Sequence, residues 1–182
     1  YELANIYLPK SLPLTELPDE RMQFALGMYG EGDFFTMKGV VESLMQRMGL
    51  KKAAKYDPQA GKSFLHPGRQ ANIIYDGEAL GYLGEIHPVV ADKYGIGEKA
   101  YVAVLDIPKV VENASFDRKF EGIAKFPAVT RDISMMVSKD ILAGQIEAMI
   151  RQRGGKHLES LKLFDIYEGE QIKKGYKSMA YS

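Results

Sequence analysis

Asp76-Gly77 stands between two runs rich in strand formers, ANIIY and LGYLGEI. A two-residue Asp-Gly connection matches the twist of paired strands, so it predicts an antiparallel hairpin with strands at Ala71–Tyr75 and Leu80–Ile86. That pairing restricts what the chain can build, because hairpins belong to antiparallel sheets. The segments around it extend the pattern. YELANIYLP reads as a strand ending at Pro9, KSLPLTELPDE as a loop, MQFALGMYG as a buried strand closed by Gly30, and KAYVAVLDIP as a further strand. KKAAKYDPQAGKSF reads as a short strand and a turn.

Between these strands the period changes. In GDFFTMKGVVESLMQRMGL, Met37, Val40, Val41, Leu44, Met45 and Met48 recur at helical spacing; Asp33 is placed to cap the start and Gly49 to stop the helix. VVADKYGI reads as a short helix. The weakly periodic, mixed-charge stretch KVVENASFDRKFEGIAKFPAV reads as a boundary near Asp117. The expected organisation is two α+β units, residues 1–116 and 117–182. In the second, TRDISMMVS, LESLKLFDIYEG and YKSMAYS read as strands and AGQIEAMIRQRGG as an amphipathic helix through Ile146, Met149 and Ile150. The order β-α-β-β is that of a ferredoxin-like split βαβ unit without its last helix and strand. Both chain ends read as cut from something longer.

Composition excludes several chemistries. There is no cysteine among the 182 residues, which removes disulfides and thiolate metal sites. No apolar run approaches membrane-spanning length, and no signal-peptide pattern opens the chain. Net charge is zero, with 24 Lys+Arg against 24 Asp+Glu. From Asp117 onward there are 12 basic and 9 acidic residues, hence +3, leaving 12 against 15, hence −3, before it. This mild bias is compatible with an RNA contact in the second unit.

The candidate chemistry is sparse. FLHPGR offers His66 and Arg69, but neither a cysteine nor a serine in a strained nucleophile turn accompanies them. His66 and His87 lack the spacing of a metal pair. On residues alone, Pro67-Gly68 reads as a turn entering the strand, with Arg69 in an ion pair. Arg131-Asp132 reads as a self-neutralising pair at a strand start. RQRGGKHLESLK reads equally as a solvated basic helix end or as an RNA contact.

Taken together, DFFTMKGVVESLM, FLHPGR, LGYLGEIHP, KFPAVTRDISMMV, LFDIYEG and KSMAYS resemble, in order and spacing, the C-terminal part of the bacterial phenylalanyl-tRNA synthetase beta chain. YELANIYLP fits the same alignment. The resemblance implies that residues 1–116 form the later portion of a degenerate class II synthetase catalytic domain, without catalytic residues. It implies that residues 117–182 form a truncated ferredoxin-fold anticodon-binding domain. It further implies a cytoplasmic enzyme of two alpha and two beta chains that joins phenylalanine to tRNA(Phe) with ATP and magnesium, catalysis lying on the alpha chain. No catalytic residue, metal ligand or cofactor is expected on this stretch, and His66 and Arg69 become scaffold or alpha-facing residues.

Strand alternation then nominates the RNA-facing side chains. Ile133, Met135, Val137, Leu161, Leu163, Met179 and Tyr181 point toward the helix. Asp132, Ser134, Met136, Ser160, Lys162, Phe164, Ser178, Ala180 and Ser182 point to the open face, of which Asp132, Ser134, Lys162, Phe164, Ser178 and Ser182 are the candidate RNA contacts. Two alternatives stand beside this reading. One is a structural module whose sole partner is the alpha chain. The other is a free-standing ferredoxin-like nucleic-acid or small-ligand domain joined to an unrelated α+β unit.

Overall fold

The computed structural model describes residues 1–117, 120 and 126–182. It divides into two compact units, Tyr1–Lys119 and Phe120–Ser182. The expected boundary stretch falls partly on 118–119 and 121–125, which lie outside the described residues.

The first unit is a six-stranded antiparallel sheet. Its strands are β1 (Glu2–Leu8), β2 (Asp19–Tyr29), β3 (Lys55–Asp57), β4 (Leu65–Tyr75), β5 (Glu78–Ile86) and β6 (Ala100–Asp106), in the spatial order β1-β2-β6-β5-β4-β3. The Asp-Gly hairpin joins β4 to β5, with Tyr75 opposite Glu78. Asp76 has φ 50° and Gly77 φ 91°, the left-handed pair that a two-residue turn of this hand requires.

Helix α1 (Phe34–Arg47) packs on one face of this sheet. Asp33 caps it: its carboxylate accepts from the Thr36 amide at 2.8 Å and from the Thr36 hydroxyl at 2.9 Å, which holds the carboxyl below its ordinary range. Met37, Val41 and Met45 form the buried stripe, at the i, i+4, i+8 spacing of one helix face. Burial of each is worth about 1.5–3 kcal/mol. They meet Ala71, Ile73 and Tyr75 of β4, Leu80 and Leu83 of β5, and Tyr101, Ala103 and Leu105 of β6. Gly49, at φ 79°, ends the helix as expected.

Several expectations need correction. Val40 is exposed, because the buried stripe is narrower than the apolar pattern. β2 is only partly buried: Phe24, Leu26 and Met28 pack against the core cluster from one side, while Met22, Gly27 and Tyr29 are exposed. His66-Pro67-Gly68-Arg69 is not a turn before β4 but lies within it. Leu65 pairs with Ile86 and Gln70 with Gly84, so four residues on β4 bulge opposite Glu85 alone. A bulge tolerates a proline that a regular ladder would not. The stretch after β6 carries a helix absent from the sequence reading, α3 (Ile107–Asn113). Asp106 caps it through the Lys109 amide and a proline occupies its first turn, but seven residues are too few for a legible period. α2 (Pro88–Lys93) forms as expected, capped by His87.

In the second unit β7 (Ile133–Ser138), α4 (Ala143–Gly154), β8 (Leu163–Tyr167) and β9 (Tyr176–Tyr181) follow in the expected β-α-β-β order. The sheet runs β7-β9-β8, with both outer strands antiparallel to β9. β7 starts at Ile133, so Thr130–Asp132 precede the strand, and β8 is five residues rather than the whole of LESLKLFDIYEG. Ile146 of α4 is buried on Met179 and Tyr181, with Met135, Val137, Ala143, Ile150, Leu161 and Leu163 packed around them. Met149, read as part of the apolar stripe, is exposed.

Candidate functional site

The two histidines of the first unit are committed locally. The Gly68 amide donates to His66 Nδ1 at 3.1 Å, and the Val89 amide donates to His87 Nδ1 at 3.2 Å. Each ring therefore serves as a backbone cap, His66 inside the bulge and His87 at the start of α2. Arg69 does form the expected ion pair. Its Nη1 donates to both Glu85 oxygens at 2.8 and 2.9 Å. The carboxylate side chain is 5% exposed and the guanidinium 46%. The bulge permits this, since it aims Arg69 back at the strand it faces. Tyr101 shares the neighbourhood: burial, then the Glu85 charge, pushes its hydroxyl pKa up. Among the described residues no serine or threonine hydroxyl bonds to Arg69 or Glu85, and no group of three His, Cys, Asp or Glu could hold a metal ion.

The same unit carries an open apolar hollow of about 550 Å³ between the β2–β6 strands and the segment after α2, lined by Gly27, Tyr29, Val90, Ile96 and Val102. Beside it Tyr29 and Tyr94 are more than three-quarters exposed. It contains little that could do chemistry and much that could meet an apolar surface.

The second unit presents a different surface. α4 covers one face of the three-stranded sheet, and no described element covers the other. Register fixes what stands there. Ala180 of β9 is flanked by Ser134 of β7 and Asp165 of β8; Ser178 is flanked by Met136 and Tyr167; Tyr176 is paired with Ser138. Ser134 Oγ lies 3.4 Å from Ser178 Oγ, so the two hydroxyls share this face. At the sheet's end Lys162 and Ser182 exchange two backbone hydrogen bonds of 2.8 and 2.9 Å, which places them in one row. The face therefore carries hydroxyls along its middle and Met136, Phe164, Tyr167 and Tyr176 as exposed large side chains.

The structure thus brings together Ser134, Lys162, Ser178 and Ser182. Asp132 is exposed but sits before β7. Phe164 is 53% exposed, and its place is irregular: Leu163 pairs with Tyr181 and Asp165 with Ala180, so Phe164 is an extra residue on β8. This bulge is what sequence alternation missed. Counting by twos from Leu163 would send Asp165 and Tyr167 under the helix; the inserted residue turns both to the open face. Tyr176 was within reach, since two further steps along β9 from Ser178 and Ala180 arrive at it.

Aromatic side chains on an open sheet, interleaved with hydroxyls and a lysine, are the materials for stacking and hydrogen-bonding unpaired bases.

Residues 1–107 match the family model of the phenylalanyl tRNA synthetase beta chain CLM domain, and residues 124–182 match that of the ferredoxin-fold anticodon binding domain. Over 182 residues the chain is 42% identical to a phenylalanine–tRNA ligase beta subunit of Clostridium tetani and 43% identical to one of Clostridium acetobutylicum, covering all of this chain and 23% of either relative. It is 34% identical over 192 residues to the corresponding subunit of Bacillus subtilis, covering all of this chain and 24% of that one. The chain spans about a quarter of the length of the curated relatives it matches. It belongs to the phenylalanyl-tRNA synthetase beta chain family, with a CLM domain followed by a ferredoxin-fold anticodon binding domain.

Proposed function

We infer that this chain is the non-catalytic, partner- and RNA-contacting portion of a phenylalanine–tRNA ligase. Residues 1–116 act as a degenerate class II catalytic domain that pairs with the alpha chain. Residues 117–182 hold the anticodon region of tRNA(Phe). The whole enzyme, two alpha and two beta chains in the cytoplasm, attaches phenylalanine to the tRNA with ATP and magnesium bound elsewhere than on this stretch. The antiparallel sheet of the first unit suits the class II comparison. Its histidines are engaged in backbone caps and its Arg69 is held by Glu85, which favours a scaffold role for all three. The exposed apolar hollow beside Tyr29 and Tyr94 suits a protein partner.

The observation that carries the RNA reading is the uncovered face of the second sheet. In this reading Tyr167 and Tyr176 stack on bases, with Phe164 stacking beside them at the margin; Ser134, Ser178 and Ser182 bond base edges or ribose hydroxyls, and Lys162 meets a phosphate. Asp132 stands at the other margin. Each base–aromatic stack is worth about 1–3 kcal/mol.

The test combines Lys162→Ala with Phe164→Ala in the alpha–beta enzyme. Phe164 is half exposed, so the unit should keep its melting transition. Binding of tRNA(Phe) should fall by about tenfold or more, as loss of one stack implies, while phenylalanine-dependent pyrophosphate exchange persists. Unchanged tRNA affinity in the folded double variant and in Tyr167→Ala would refute the RNA reading and leave a module that contacts the alpha chain alone.

A further inference from the structure

The cations of the second unit are not evenly spread. β7 and β8 begin, β9 ends and α4 ends at the same pole of this unit, because α4 returns antiparallel to β7. Arg131 precedes β7; Arg151 and Arg153 close α4; Lys156 and His157 lie in the 3-10 turn that follows (Gly155–His157); Lys162 leads into β8. All six are exposed. Against five Lys or Arg, this pole carries Asp132 and Glu159, a net charge of +3 before His157 is counted.

The opposite pole differs in kind. Its Lys139, Lys173, Lys174 and Lys177 face Asp140, Glu168 and Glu170, and several are engaged. Lys139 is paired with Glu168, Lys177 donates to the Lys139 carbonyl at 3.2 Å, and Lys173 lies over the Tyr176 ring. At the first pole, among the described residues, none of the five Lys and Arg is in an ion pair; Arg131 donates to the carbonyl of its neighbour Thr130. The helix dipole explains a preference for Arg151 and Arg153 at the end of α4. It does not explain Arg131 or Lys162, which belong to strand starts. What the set shares is its end of the sheet.

We propose that this pole is the docking site for the phosphate backbone of the RNA stem whose loop lies on the open face. The inference rests on the RNA reading above and adds a direction to it. A loop laid across a sheet brings in its flanking strands at one end, and paired strands there concentrate phosphate charge. Unengaged, exposed guanidinium and ammonium groups fit that charge without a desolvation cost from broken ion pairs. The opposite pole, with its acids and occupied lysines, fits it poorly.

Two RNA probes separate the parts: a hairpin with a short duplex stem, and its loop sequence as a single strand. Both are titrated with salt against the wild-type chain and the Arg151→Gln, Arg153→Gln, Lys156→Gln triple variant. The slope of log affinity against log salt should become shallower by about 2–3 for the hairpin. The loop strand should bind both proteins within about twofold. Lys156→Gln alone, outside the helix, should reduce the hairpin slope by about 1, and this holds the test should the triple variant lose its fold. Lys139→Gln with Lys174→Gln, at the far pole, should leave the slope in place. An unchanged hairpin slope in the folded triple variant and in Lys156→Gln overturns the proposal while the sheet reading survives. A wild-type chain that binds neither RNA overturns both.

Discussion

Removing the guanidinium of Arg69 should cost far more than neutralising the carboxylate it holds. Glu85 is buried to the point that water cannot replace a lost partner, whereas nearly half of Arg69 already faces solvent. In Arg69→Met the bulge keeps an unbranched side chain of similar length, but the Glu85 charge loses both short bonds from Nη1. Stripping one partner from a buried pair costs about 3–5 kcal/mol, and the half-exposed side of this pair sets the expectation near the lower bound, about 3 kcal/mol. In Glu85→Gln the amide still bonds its neighbours and Arg69 turns to water, so the cost should be about 1 kcal/mol. Urea melts followed by circular dichroism, with amide exchange in β4 and β5 assigning the transition, measure the difference. At a slope of roughly 1.5–2 kcal/mol per molar, Arg69→Met should lower the midpoint by roughly 1.5–2 M. Equal costs for the two variants would refute the assignment of Glu85 as the group that needs the pair.

Other expectations are simpler. Gly77→Val should destabilise the first unit by about 1–3 kcal/mol, because Gly77 has φ 91° while a Cβ there meets open space; an unchanged midpoint would reject the strain argument. Gly49→Ala should cost at least as much, since φ 79° is combined with a Cβ that would fall on the Ser115 carbonyl, and a thermal melt reads it directly. Asp33→Ala should lower the melting temperature at neutral pH. The folded carboxyl lies below its ordinary 3.8, so its contribution is complete above that value and lost as pH falls through the folded one; the two proteins should converge in strong acid. The chain alone should show no ATP–pyrophosphate exchange; exchange that disappears in Arg69→Met would overturn the reading of that pair as scaffold.

Local chemistry was legible in the sequence wherever one residue type answers one geometric demand. Asp76-Gly77 supplies the left-handed turn, Asp33 and Gly49 bracket α1, and Gly155 closes α4, so these features follow from steric and capping preferences alone. What escaped has a common physical cause: it depends on a partner distant in sequence. The bulge at His66–Arg69 exists because Arg69 finds Glu85 sixteen residues on, and Pro67-Gly68 by themselves read as a turn. α3 forms because Val110 buries against the sheet, though its seven residues carry too little periodicity to announce a helix.

The candidate site shows the same division on a smaller scale, with a functional consequence. Alternation placed Ser134, Ser178, Ser182 and Lys162 on the open face because β7, β9 and the start of β8 keep a regular two-residue period. One inserted residue, Phe164, breaks that period, and beyond it the strand's faces exchange roles. Asp165 and Tyr167 thereby leave the helix side and join Ser134, Ser178 and Met136, while Ile166 turns toward Met179. The bulge therefore creates the most polar and aromatic part of the surface. Deleting Phe164 should remove the bulge and leave Leu163, Asp165, Ile166 and Tyr167 in one unbroken alternation against Tyr181, Ala180, Met179 and Ser178, so Tyr167 keeps the open face. The variant should therefore lose only what the exposed Phe164 ring contributes. A deletion variant that lost its melting transition, or lost RNA affinity well beyond the loss in Phe164→Ala, would refute this account of the bulge.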